Sequence, residues 1–219
     1  MSYSTITPNT TQITFLRHGE STGNAEKRHQ GQADFPLTER GISEAHALCS
    51  RWSAAPPDFD LIISSPLQRA RKTAEIIADC FNLEIIYDPL WKERDNGKLA
   101  GLLHDDAKDL VPAPDFIPRY QPIAETGESQ WELFLRAGNA VNSLMKKQPG
   151  NYLIVSHGGL LNMVLHAIFG IVPLPNFQGP NFRFSNTGYS KLLYKPENEN
   201  WILMGHNLTD HLSQPGLDL

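Results

Sequence analysis

The stretch ITFLRHGESTGN, residues 13–24, runs four strand-forming residues straight into Arg17, His18 and Gly19. A short apolar run bounded by polar residues reads as a buried strand. In open α/β sheets, ligands bind beyond the carboxyl ends of the strands. A cation and an imidazole placed at such an end are therefore candidates for chemistry rather than solvation.

Working outward, residues 12–16 form the first strand, and LTERGISEAHALCSRW follows with Thr38 as N-cap and Ile42, Ala45, Leu48, Cys49 and Trp52 at helical spacing. FDLIIS, 59–64, reads as a buried strand. PLQRARKTAEIIADCF then reads as a helix with Pro66 at its first position and Ala70, Ala74, Ile77 and Phe81 on one face. LEIIYD at 83–88 is a third strand, 128–147 a helix with Trp131, Leu135, Val141 and Leu144 inward, and YLIVS at 152–156 a fourth strand. The helix GLLNMVLHAIFG comes next. From 182 to 204 two or three short strands follow without helices between them, which marks an antiparallel edge. Strands alternating with helices predict an α/β fold, a three-layer α/β/α sandwich with a mainly parallel sheet. Residues 95–127 fit neither pattern, and a connection that long in a compact domain reads as a lid-like insertion.

With 219 residues and no linker-like tract, 1–219 reads as a single domain. A chain of this length buries roughly 70% of its unfolded surface, so its core needs no covalent or metal staple. Cys49 and Cys80, the two cysteines present, sit at apolar helical positions and read as reduced thiols in a cytoplasmic protein, with a structural disulfide between them as the minor alternative. The N-terminus carries no charged start or apolar segment of a leader, and no apolar run approaches the ~18 residues of a membrane span. A net charge of −5 argues against nucleic acid as a partner, and nothing in the sequence sets the oligomeric state.

Three strand ends carry unusual residues: Arg17-His18-Gly19, Ser64-Ser65-Pro66 with Arg69 one turn on, and Ser156-His157-Gly158-Gly159. If the strands are parallel neighbours, two arginines and two histidines converge on one crevice suited to a dianion. Arginine forks match phosphate oxygens, amides near Gly158 add a helix N-terminus, and Asn24 adds an amide donor. The arginines disfavour imidazolium, which keeps one histidine neutral and nucleophilic. Histidines 29, 46, 104, 166, 206 and 211 show no metal-ligand spacing, so neither metal nor cofactor is expected.

LRHGESTGN, then QGQADFPLTERG, SSPLQRARKTAE and VSHGG, in this order, resemble the histidine phosphatase superfamily, with its phosphoglycerate mutase-like fold; the likeness extends to NLTDHL near the C-terminus. The resemblance implies that His18 is phosphorylated on its distal ring nitrogen and that Arg17, Arg69 and His157 hold the phosphoryl group. It also implies contacts from Asn24 at the mouth of the site and from Gln30, Gly31 and Gly158. LWKERDNGKLAG resembles the segment that carries the family's proton donor, which makes Glu93 that donor. A metal-independent phosphomonoesterase acting on a small phosphorylated metabolite is the function expected. The alternatives are a cofactor-dependent phosphoglycerate mutase and a non-catalytic binding module. The acidic composition of HDDAKDLVPAPDFIPRY favours the phosphatase, because it offers few cations to grip a second anionic group.

Overall fold

The structure, a computed structural model, describes residues 9–213; part of the N-terminal stretch read for a leader lies outside that range. In chain order its elements are β1 (Thr11–Arg17), α1 (Thr22–Ala25), α2 (Glu39–Ser53), β2 (Leu61–Ser64), α3 (Gln68–Phe81) and β3 (Ile85–Tyr87). Then come α4 (His104–Leu110), α5 (Gln130–Met145), β4 (Asn151–Ser156), α6 (Gly158–Ile168), β5 (Tyr189–Lys195) and β6 (Asn200–Leu208).

The strands form one sheet in the order β3-β2-β4-β1-β5-β6. β1, β2, β3 and β4 run parallel, and β5 and β6 add the antiparallel edge expected from 182–204. Side chains alternate across a strand, so β1 feeds two cores. Ile13 and Phe15 pack under α5 and α6 with Leu133, Leu144, Leu161 and Val164. Leu16 turns to the opposite face and meets α2 and α3 through Leu48, Trp52, Ala74 and Ile77. The result is the α/β/α sandwich. Each fully buried Leu or Ile in these layers contributes about 1.5–3 kcal/mol relative to exposure.

Register matters most for function. Arg17 pairs with Ser156 across β1 and β4, and Ser64 pairs with Val155 across β2 and β4. The carboxyl ends of β2, β4 and β1 are thereby neighbours, as the convergence of their motifs requires.

Several boundaries differ from the sequence reading. α3 begins at Gln68, two residues after Pro66, because the side chain of Asp34 accepts from Gln68 N at 2.7 Å and caps the helix from outside it. Leu135, read as inward, is 50% exposed; the buried stripe of α5 runs through Leu133, Ala137, Ala140 and Leu144, and Leu135 falls on the far side. The 95–127 segment holds the short helix α4 and single turns at Gly97–Leu99 and Ile123–Glu125. Cys49 and Cys80 are joined in a disulfide, contrary to the expectation of reduced thiols. α2 and α3 lie side by side on one face of the sheet and bring the two Cα atoms to 6.3 Å, inside the range a bridge spans. Among the described residues no helix is long and apolar enough to cross a membrane.

Candidate active site

A cavity of about 460 Å³ opens over the carboxyl ends of the strands, and Arg17, His18, Gln30, Gly31, Arg69, Glu93 and Gly158 all line it. His18 follows β1 directly and is 3% exposed. Its Nδ1 lies 2.7 Å from Gly19 O. A carbonyl only accepts, so Nδ1 carries the proton and Nε2 holds the free lone pair. Burial, then the charges of Arg69 and Arg17, hold this imidazole well below its ordinary pKa and keep it neutral.

Arg69, the second residue of α3, is 1% exposed. Its Nη2 donates to Gly31 O at 2.7 Å and Nη1 to Ala33 O at 2.9 Å. Gly31 adopts φ +52° with Asn96 pressed against it, a conformation that glycine takes without strain. Burial pushes Arg69 down to about 10, so it stays cationic at neutral pH. Arg17 Nη1 donates to Phe184 O at 2.7 Å, while its Nε is buried with no partner. A buried, unpaired guanidinium nitrogen is costly unless a ligand meets it.

Glu93 is held by α6. That helix has no side-chain cap of its own. Instead, Glu93 Oε2 accepts from Gly159 N and Oε1 from Leu160 N, both at 2.9 Å, so the carboxylate caps the helix. A Cβ at Gly159 would stand 2.6 Å from Glu93 Oε1, which explains the second glycine of the SHGG stretch.

Two of the expected contacts are not among the residues lining the cavity. His157 is fully buried behind the cavity wall. Its Nδ1 accepts from Arg69 Nε at 3.2 Å, which leaves the Nε2 proton for Ser65 Oγ at 2.8 Å. Burial, Arg69, and the His18 and Arg17 charges hold it well below the ordinary value. It braces Arg69 in this arrangement. Asn24 completes the capping box of α1 with Ser21, and its Oδ1 also lies 3.3 Å from Asn186 Nδ2; it is not among the residues lining the cavity.

Three lining arginines were not singled out in the sequence: Arg28, Arg94 and Arg183. Arg94 lies 5.0 Å over the Phe177 ring and uses only Nε, toward Asn96 Oδ1 at 3.1 Å. Among the described residues its terminal nitrogens have no hydrogen-bond or ion-pair partner. Its adjacency to Glu93 was the one signal available. His29 and His104 also line the cavity, with ring centroids 4.4 Å apart.

Residues 13–208 match the histidine phosphatase superfamily (branch 1). The chain is 34% identical over 218 residues to the "Probable phosphoglycerate mutase GpmB" of Yersinia pestis, covering 94% of this chain and 97% of that one. Among solved structures, it is similar to YhfR of Bacillus stearothermophilus at 26% identity and a TM-score of 0.76, covering 92% of this chain and 99% of that one. It is similar too to a phosphoserine phosphatase of Entamoeba histolytica in complex with 3-phosphoglyceric acid, at 25% identity and a TM-score of 0.74, with coverage of 92% and 99%. A mycobacterial glucosyl-3-phosphoglycerate phosphatase matches at 26% identity and a TM-score of 0.75, over 90% of this chain and 98% of that one.

Proposed function

Within the histidine phosphatase superfamily, to which this chain belongs, we propose that it is a phosphomonoesterase working through a phosphohistidine on His18. The observation that carries the proposal is the tautomer of that residue. Nδ1–H is committed to Gly19 O, so the free lone pair is on Nε2, in a neutral ring flanked by two arginines.

In the first step Nε2 attacks phosphorus, the phosphorus–oxygen bond to the leaving group breaks, and protonated Glu93 gives its proton to the departing oxygen. In the second, water attacks the phosphohistidine, the phosphorus–nitrogen bond breaks, Glu93 takes the water proton, and inorganic phosphate leaves. Arg17 and Arg69 balance charge on the equatorial oxygens throughout, the main lever in phosphoryl transfer. These arginines supply the positive charge, so the proposed reaction is metal-independent.

The substrate class follows from Arg94. Its unpaired fork in the same cavity as His18 suits a second anionic group, so the substrate is a small phosphomonoester that also bears a carboxylate or a further phosphate. The 3-phosphoglyceric acid named with one solved relative has that chemistry. The cations of this outer site come from outside the acidic part of the 95–127 insertion, where the sequence reading looked for them. The mutase reading rests on the name of the curated relatives and on these same lining cations, which the sequence reading counts as few.

Phosphate release, measured in chelator over a panel of phosphorylated acids, sugars and alcohols, tests the proposal. Release that vanishes in His18→Ala and favours acidic esters is expected. Interconversion of phosphoglycerates without net phosphate release would replace the phosphatase with the mutase.

A further inference from the structure

Glu93 sits on an irregular segment between β3 and the 95–127 insertion, yet a proton donor must be held to within a fraction of an ångström. We propose that Arg136, on α5, is the positioning residue that fixes Glu93, with Glu128 as its partner. This rests on Glu93 being the proton donor.

The geometry is that of a clamp. Arg136 Nη1 donates to Leu90 O at 2.9 Å and to Lys92 O at 2.7 Å, and Nη2 to Glu93 O at 3.2 Å. The same guanidinium meets both carboxylate oxygens of Glu128, Nε to Oε1 at 2.8 Å and Nη2 to Oε2 at 2.7 Å. One side chain thus gathers carbonyls at 90, 92 and 93 onto a regular helix. The pair is half-buried, 18% and 13% exposed, so water screens it less than an exposed ion pair.

Glu128 extends the clamp across the neck of the insertion. Its Oε2 accepts from Asp95 N at 3.3 Å, and its own N donates to Asp95 O at 2.9 Å. From the other side Ser156 Oγ, at the end of β4, donates to Trp91 O at 2.8 Å. The Glu93 segment is therefore tied to α5 and β4 as well as to the insertion that follows it. Arg136 touches neither His18 nor the cavity, and it acts through the backbone of Glu93. Its charge also disfavours imidazolium at His157.

The test compares Arg136→Met, Arg136→Lys and Glu128→Gln with Glu93→Gln on two substrates, p-nitrophenyl phosphate and a simple alkyl phosphate. A good leaving group needs no proton, whereas an alkoxide does. Loss of a positioned general acid is expected to cost roughly 10²-fold in kcat/KM, which reads the first phosphoryl transfer alone, on the alkyl ester and only a few-fold on the aryl ester. Arg136→Met should follow Glu93→Gln in this split, Arg136→Lys and Glu128→Gln should show smaller versions of it, and added guanidinium should restore part of the Arg136→Met loss. Combining Glu93→Gln with Arg136→Met should add little. Equal losses on both esters, or none, would overturn the positioning role. If Glu93→Gln itself shows no split, the proton-donor reading fails instead. Thermal unfolding reports which variants fold, and Arg136→Lys and Glu128→Gln carry the test if Arg136→Met does not.

Discussion

The imidazoles of His18 and His157 lie 5.1 Å apart, centroid to centroid, and inclined by 59°. Both are buried beside Arg69, and both are held well below the ordinary histidine value, first by burial and then by the arginine charge. The nucleophile thus remains neutral where a free histidine would already be protonated. Following the His18 ring by NMR should place its titration below 6.5. A midpoint at or above the ordinary value would remove the electrostatic basis of the site.

Stability should fall in acid for the same reason. A histidine whose folded pKa is depressed leaves the unfolded chain with more bound protons, so folding weakens as pH drops below the unfolded value of about 6.5. His211 belongs to this group: it is buried against Thr187 Oγ1 at 2.8 Å, and burial lowers it to about 4. Denaturant midpoints should decline between those two values. Replacing His211 by Gln should flatten part of the decline, and an unchanged slope would count against its burial as a neutral ring.

Gly159→Ala places a methyl group 2.6 Å from Glu93 Oε1, so the carboxylate must leave the amides that seat it. Turnover of alkyl phosphates should drop by roughly 10²-fold, the cost of about 1 Å of misplacement. At Gly138, within α5, a methyl group would meet nothing within 4 Å. Gly138→Ala should raise stability by about 1 kcal/mol, as in an unobstructed helix interior. Thermal melts of the two variants should move independently of each other.

The Cys49–Cys80 bridge closes a loop of 31 residues, worth about 4 kcal/mol when formed. Thiol titration of the denatured, unreduced protein should find no free cysteine, and reductant should lower Tm. Two free thiols in freshly purified protein would restore the sequence reading.

Much of the fold was legible because it is written locally. Residues 12–16 and 152–156 are apolar runs that need no tertiary information to read as buried strands, and the Arg17-His18 and His157-Gly158 pairs lie right at their ends. What could not be read depends on which elements become neighbours. The Cys49–Cys80 bridge requires α2 beside α3. The exposure of Leu135 turns on a helix phase that Leu133 and Ala137 settle only once α5 lies on the sheet. His157 is shielded because Ser65 and Arg69, from the end of β2 and from α3, engage both of its ring nitrogens. Nothing in a single sequence shows the guanidinium of Arg94 stacked on Phe177, or that of Arg136 gathering carbonyls around Glu93.

The central claim is that the phosphoryl group rests on His18. Mixing enzyme with a turned-over substrate, quenching in alkali within a turnover and mapping the peptides by mass spectrometry tests it directly. The account predicts one phosphoryl group on the peptide containing His18, bound to Nε2 and absent from His18→Ala. Sustained turnover with no phosphorylated peptide at any quench time, or with the label on another residue, would contradict it.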